Sequence, residues 1–311
     1  PGVVTTGDQG GQVYVRGGTP IQNKILLDGM TIYNPFHSIG FFSVFETDVI
    51  RSADIYTGGF NAKYGGRISS IMDITYRDGN SKRFGGKIGV SPFTSSLLIE
   101  GPLSKSNNVS FVLSGKASVL EQTSRALYPY INEGEGLPFN FADLYGKVSV
   151  KGDGSNKFSL FGFSFNDQVT YQAVSDLNWN SYGGGSNFVF VPQNSELFLK
   201  GRLNFSRYDI ALKEESLEDR TSGIFGAEMA FDFTYYLEGK SRLEYGFGFN
   251  IFRTEFLTFN EVNKPIEANS NTNEAGLYLS YRHVAKGRRL ILEPSFRVQG
   301  YSSVGQMTFE P

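Results

Sequence analysis

The sequence predicts an all-β membrane protein: a transmembrane antiparallel β-barrel preceded by a small domain of mixed α+β type. Three observations carry this reading. From Phe84 onward, apolar and polar residues alternate with period two over runs of about ten residues, the length that crosses a bilayer as a tilted strand. The connections between these runs are alternately short and long. The composition is 15% aromatic with 37 glycines, yet no run of about 18 apolar residues offers a spanning helix.

The runs justify themselves one by one. Leu197, Leu199, Leu203 and Phe205 share a face that Lys200, Arg202 and Asn204 oppose. Phe225, Ala227, Met229, Phe231, Phe233 and Tyr235 oppose Glu228 and Asp232. Leu243, Tyr245, Phe247, Phe249 and Ile251 oppose Glu244, Gly246, Gly248 and Asn250. Leu290, Leu292, Phe296 and Val298 oppose Glu293, Arg297 and Gln299, and Val109, Phe111 and Leu113 oppose Ser110, Ser114 and Lys116. Short connections are expected at Leu103–Asn108, Gly152–Ser155, Pro192–Glu196, Glu238–Lys240 and Ala285–Arg288. Long ones are expected at Glu121–Asn140, Gln172–Tyr182, Lys213–Ser222 and Leu257–Thr272. A soluble β-sandwich also alternates, but its strands are nearer five or six residues and its turns do not alternate in length. A mean hydropathy of -0.24 suits a barrel, whose polar and apolar faces average out.

Residues 1–82 read as a separate domain, and 83–311 as the N-terminal half of the barrel. The first part has short strand-like pieces (Gln12–Val15, Lys24–Leu27, Ala53–Tyr56, Ser69–Tyr76). Gly17-Gly18, Asn34-Pro35, Gly58-Gly59 and Gly65-Gly66 separate them. If the first barrel strand runs outward, Phe84–Pro102 must hold two short strands bent at Ser91-Pro92-Phe93. On this count about eleven strands are present. An odd, open sheet would leave backbone groups unpaired in lipid. Pro1 is followed by no leader, and Met307–Pro311 shows no closing strand, so both ends read as cuts in a longer chain.

Three blocks in the first domain carry a resemblance. Val15-Arg16-Gly17 comes first and Leu27-Asp28-Gly29 second. The third runs from Ile55 through Gly59, Tyr64-Gly65-Gly66-Arg67 and Ile71 to Thr75. In this order they resemble the plug domain of TonB-dependent outer-membrane receptors. The form Gly59-Phe60-Asn61-Ala62-Lys63-Tyr64-Gly65-Gly66-Arg67 is similar to a branch common in Bacteroidota. Thr57-Gly58-Gly59 stands where the family usually has Arg-Gly-Pro, which removes one arginine of a double-arginine lock.

The resemblance implies a location in the outer membrane of a Gram-negative bacterium and a barrel that closes with about 22 strands, half of them present here. It implies active import of a scarce ligand (siderophore, oligosaccharide or peptide), with the plug as gate. The implied partners are a TonB–ExbB–ExbD motor that pulls on a segment upstream of Pro1, membrane lipid and lipopolysaccharide, and a surface lipoprotein or other outer-membrane subunits. Arg16 and Arg67 are the expected plug–barrel lock, since a guanidinium fork suits a partly buried carboxylate. Gly17, Asp28, Gly29, Tyr64, Gly65 and Gly66 are expected as plug turns and packing. Asn34, Phe36 and His37, in the aromatic segment Tyr33–Phe45 bent at Asn34-Pro35 and Ile39-Gly40, are the candidate ligand-facing residues. Phe41, Phe42 and Phe45 read as plug core or as its seat on the barrel wall. The competing readings are a receptor-like structural subunit of a secretion or assembly complex, and a passive porin, which a plug disfavours.

Other chemistry is poorly provided for. There is no Cys and only His37 and His283, and no Gly-x-Ser-x-Gly, Walker loop or His-Glu-x-x-His helix. The sequence therefore gives no enzyme, catalytic residue, metal site or cofactor. Glu133-Gly134-Glu135 is two carboxylates in a long loop, most simply solvated. The net charge of -2 argues against nucleic acid. Inward positions carry both signs, Lys116, Lys200, Arg202 and Arg297 against Glu228, Asp232, Glu244 and Glu293, and do not select a ligand.

Overall fold

A computed structural model describes residues 3–6, 12–37, 40–171, 175–215, 217–260, 262–285 and 290–310. Residues 38–39 and 286–289, which carry the bend expected at Ile39 and the turn expected at Ala285–Arg288, lie outside the described residues, as do residues 172–174.

Two short strands, β1 (Val3–Thr6) and β2 (Gln12–Val15), pair antiparallel. A second sheet follows, built from β3 (Asn23–Leu27), β4 (Met30–Thr31), β7 (Ile50–Tyr56) and β8 (Ser70–Tyr76), in the order β4-β3-β8-β7. β3 runs parallel to β8, with Ile25 opposite Met72. Between them β5 (Phe36–His37) and β6 (Phe42–Ser43) form a small hairpin. Asp28-Gly29 makes the tightest turn in this sheet. Both residues have positive φ (50° and 87°) and Leu27 pairs with Met30, the geometry of a two-residue type I′ hairpin. Among the described residues the helical part of this domain is limited to 3-10 turns such as Pro20–Gln22 and Thr47–Val49.

The remaining strands form one antiparallel sheet. In chain order these are β9 (Gly85–Val90), β10 (Thr94–Pro102), β11 (Val109–Ser118), β12 (Phe139–Lys151), β13 (Lys157–Tyr171), β14 (Ser175–Phe190), β15 (Leu197–Glu214), β16 (Leu217–Tyr236), β17 (Arg242–Phe259), β18 (Pro265–Val284), β19 (Ile291–Leu292), β20 (Ser295–Tyr301) and β21 (Gln306–Glu310). Each pairs with its sequence neighbour, except that β18 pairs with both β19 and β20. β9 and β10 are the two short strands expected before Leu103. They turn at Ser91, whose backbone N–H donates to the Thr94 carbonyl at 2.9 Å.

Two expectations need correction. Most of the predicted long loops are strand. β16 already begins at Leu217 and β18 at Pro265, so strands of 18 to 20 residues replace the ten-residue runs. A tilted strand needs only about ten residues to cross the apolar band. The remainder continues the ladder beyond it as hairpins wetted on both faces, where nothing enforces alternation. Pro265-Ile266-Glu267-Ala268-Asn269-Ser270-Asn271 shows no period two, yet pairs residue by residue with β17. Within Glu121–Asn140, by contrast, a helix α1 (Leu120–Leu127) is present. The second correction is β21, where no strand was expected. Met307 and Phe309 face outward and Thr308 pairs opposite Gln299, an alternation too short to register in sequence.

Burial is inverted relative to a soluble protein. Ser110, Ser114, Ser149, Ser159, Ser206 and Gln299 are buried on the inner face, while Leu113, Leu160, Leu203, Phe205, Leu277 and Leu279 are exposed on the outer one. An apolar outer band and a polar interior identify a lipid-facing wall, and the sandwich reading fails. The first domain sits against the inner face. Leu27, Met30, Ile32, Val44, Val49, Ile74 and Tyr76 form one buried cluster with Leu98, Val112, Tyr145, Phe161, Phe163 and Phe165 of β10–β13.

Candidate functional site

Outside that cluster the interface between the small domain and the wall is largely polar. Its centre is Asp28. The I′ turn carries the carboxylate into the wall, where Lys147 Nζ lies at 3.0 Å and the Tyr145 hydroxyl donates at 2.5 Å. The Tyr76 backbone N–H donates to the same carboxylate at 3.2 Å. Asp28 and Lys147 are each about 4% exposed, so neither charge has water to fall back on. Lys147 also donates to the Tyr76 carbonyl at 2.8 Å. Further ties follow on strands β10, β13 and β9: Arg77 to Glu100 at 2.5 Å, Lys157 to Asp78 at 2.7 Å and Lys87 to Asp48 at 2.7 Å.

His37 makes the second centre. Its ring stacks on Phe141 (centroids 4.3 Å, planes 5° apart). Nε2 lies 2.9 Å from the Asp143 carboxylate and Nδ1 lies 3.2 Å from that of Asp167. His37 is 2% exposed. The expectation of an exposed His37 is therefore corrected: strands β12 and β13 present two inward carboxylates at the height of the β5–β6 hairpin, and the imidazole fits between them.

On the opposite side, toward β14–β20, contacts are sparser. Lys24 pairs with Glu228 at 2.9 Å and the Thr31 hydroxyl donates to the same carboxylate at 3.1 Å. Asn61 donates to Glu244 at 3.1 Å. The third block also meets the wall through its backbone. Arg297 donates to the carbonyl oxygens of Ala62 and Lys63, and its guanidinium lies so close to Gly65 that a side chain there would have to displace it. Tyr64 donates internally to Asp73 at 2.7 Å, and burial with the nearby Asp73 charge pushes its phenol well up. A polar cavity of about 60 Å³ lies here, bordered by Lys24, Tyr64, Gly65, Arg202, Glu228 and Asp232.

Neither arginine expected as a lock forms an ion pair among the described residues. Arg16 sits at a positive-φ turn (48°) beside Gly17, on the rim near Gly58. Arg67 donates to the Gly66 carbonyl, and its buried Nε has no hydrogen-bond partner among the described residues. Other cations take that part, Lys24, His37 and Arg77 toward the wall, and elsewhere the polarity is reversed, with wall lysines holding Asp28 and Asp78. Asp28 was visible in sequence as a turn residue, but its carboxylate partner Lys147 lies 119 residues away and left no signal.

Between the two domains, at the end of the wall where the longer hairpins lie, opens a cleft of about 540 Å³. Asn34, Phe36, Tyr33 and Arg67 line it from the small domain, and Trp179 and Tyr208 from the wall. Asn34 donates to the Tyr208 hydroxyl at 3.3 Å, and Phe36 donates its backbone N–H to Asn34 Oδ1 at 3.1 Å. Of the aromatic segment, Phe42 packs on Phe93 and Phe141 of the wall, while Phe41 stays 74% exposed.

Residues 1–70 match the TonB-dependent Receptor Plug Domain family model. No curated protein matches the chain in sequence. Among solved structures, the chain is similar to the siderophore receptor PirA from Pseudomonas aeruginosa, with a TM-score of 0.71 at 14% identity, covering 99% of this chain and 52% of that one. It is similar to the FrpB iron transporter from Neisseria meningitidis (F3-3 variant), with a TM-score of 0.75 at 12% identity, covering 100% and 57%. It is also similar to a mutant of the ferric enterobactin receptor PfeA from Pseudomonas aeruginosa, with a TM-score of 0.70 at 13% identity, covering 99% and 55%. The chain thus spans about half the length of the structures it matches.

Proposed function

From a chain that carries a TonB-dependent receptor plug over residues 1–70 and has the fold of the plugged outer-membrane barrels, we propose that the protein imports a scarce ligand across the outer membrane of a Gram-negative bacterium. The plug acts as the gate, and an inner-membrane motor supplies the pull. The observation that carries this reading is the cleft. Most of its lining is plug, and Asp167, Trp179, Tyr208, Ile210 and Ile224 come from the wall, so a bound ligand touches both parts that must separate. It lies at the long-hairpin end, the extracellular end of such barrels. Its lining offers ring faces from Phe36, Trp179 and Tyr208 beside the cations Lys24 and Arg67. Asn34 and Phe36 are the ligand-facing residues of this reading. The path inward runs along β14–β18, where Lys24 borders both the cleft and the deeper cavity and ties are fewest.

Position 36 supplies the test, because the 311 residues contain no cysteine. In the full-length protein on intact cells, Phe36→Cys is expected to react with a membrane-impermeant thiol reagent added outside. Growth conditions that demand uptake of the ligand should protect it. Labelling that requires a permeabilised outer membrane would sink the orientation. Outside labelling that no growth condition changes, with stoichiometric partners co-purifying, would favour a structural subunit instead.

A further inference from the structure

Both ring nitrogens of His37 face carboxylates, and an ionised carboxylate only accepts. A neutral imidazole has one N–H and one lone pair, so it could serve one aspartate and would turn its lone pair on the other. The imidazolium donates to both. The charges around it agree. Lys116 of β11 lies 3.2 Å from Asp143 and donates to the Ser43 carbonyl at 2.7 Å. Lys116 already serves Asp143, and a protonated His37 adds a positive charge that faces both carboxylates. Among the described residues, the ring is also surrounded by Phe141, Phe165, Val44, Asn34, Phe36, Trp179, Ser181 and the titratable Tyr208.

We propose that His37 is a charged clasp: as an imidazolium it ties the plug hairpin β5–β6 to strands β12 and β13, and it joins that tie to the ligand cleft. The link to the cleft is direct. Asn34, Phe36, Asp167, Trp179 and Tyr208 line the cleft and also the small recess that holds the imidazole. A ligand that presses on Phe36 or bonds to Asp167 therefore acts on the clasp itself. His37 is a positioning residue in this scheme, since it touches the wall and not the ligand.

Burial on its own disfavours the charged ring, but hydrogen bonds to Asp143 and Asp167 outweigh it, and the imidazole titrates above its ordinary 6.5. The sign follows. A group whose pKa is raised on docking contributes its full stabilisation below the undocked value. It loses that contribution as pH rises through the docked one. The clasp is closed below the ordinary imidazole value and is released as pH rises through the ring's higher, docked one.

The experiment uses the full-length protein, labelled with ¹⁵N-histidine, in detergent micelles without ligand. The His37 signals are assigned by their loss in His37→Gln. Near neutral pH both ring nitrogens are expected to be protonated. Amide protection of residues 34, 36, 37 and 42–45 should stay level until the ring titrates and then fall about tenfold per pH unit, the slope of one linked proton. In His37→Gln that protection should already be lower and flat with pH. Asp143→Asn keeps the ring and should move its titration downward, which covers a His37→Gln that does not fold. A neutral ring at neutral pH would overturn the proposal, as would an unchanged titration in Asp143→Asn. The import reading enters only in what the clasp reports on. Its failure would appear in uptake assays and leave the ring's protonation untouched.

Discussion

At Asp28 one residue does two jobs that sequence reasoning separates. Its backbone takes the positive φ of a I′ turn, a conformation that Asp and Asn tolerate. Its carboxylate neutralises Lys147 inside the wall. Asp28→Asn isolates the second job, because asparagine keeps the turn. Breaking a buried pair by removing one charge leaves the other uncompensated, a loss of about 3–5 kcal/mol. Hydrogen exchange in β4 and β8 of the full-length protein should therefore accelerate by roughly that free energy, while the wall strands β15–β18 keep their protection. Equal protection in wild type and variant would mean that Lys147 finds its counter-charge elsewhere, with Asp78 at 4.0 Å as the candidate. The sequence announced the turn through Asp28-Gly29 and the aromatic segment through Tyr33–Phe45. It could not announce Lys147, Asp143 or Asp167, which differ from other inward polar residues only by their height on the wall. For the same reason Arg16 and Arg67 looked like locks. A guanidinium is a good partner for a carboxylate, but the carboxylates here are spent on Lys24, Arg77, Lys147 and His37.

Among the elements, the wall strands were the most legible and their ends the least. Inside the bilayer every second side chain must be apolar, and β15–β17 show it without exception over Leu203–Phe205, Met229–Phe233 and Leu243–Ile251. Beyond the bilayer only backbone pairing holds a hairpin together, so composition there is free, and the strand extensions of β16 and β18 read as loops. The two faces should tolerate opposite changes. Leu203 is exposed on the outer face between Ser186 and Met229. Leu203→Arg is expected to cost about 2–4 kcal/mol if it lies near the bilayer midplane. Arg202, on the inner face, pairs with Asp232 at 3.2 Å. Arg202→Leu removes that pair but leaves Asp232 the Tyr278 hydroxyl, 2.7 Å away. It should insert into membranes as wild type does. Comparable folded yields for the two variants would reverse the assignment of faces.

For the whole molecule, what matters is that the sheet is open. Among the described residues β9 pairs only with β10, and β21 only with β20. In lipid each backbone N–H or C=O without a partner costs several kcal/mol. Two such edges therefore outweigh a net stability of about 5–15 kcal/mol, the usual range for a folded domain. Covering the edges with the plug is ruled out by geometry, since the plug packs on the inner face of β10–β13 and its own strands join a separate sheet. Nor does the polar interior help, because Ser110, Ser149 and Gln299 would meet hydrocarbon if the sheet flattened. These 311 residues expressed alone should accordingly fail to insert as a monomer, and should run on a gel at the same position with and without heating. The full-length protein should show the heat-dependent shift of a closed barrel. If the isolated stretch also shifted with heat, its two edges would have to meet each other, and β9 would be found paired with β21 in a small barrel too narrow for the plug.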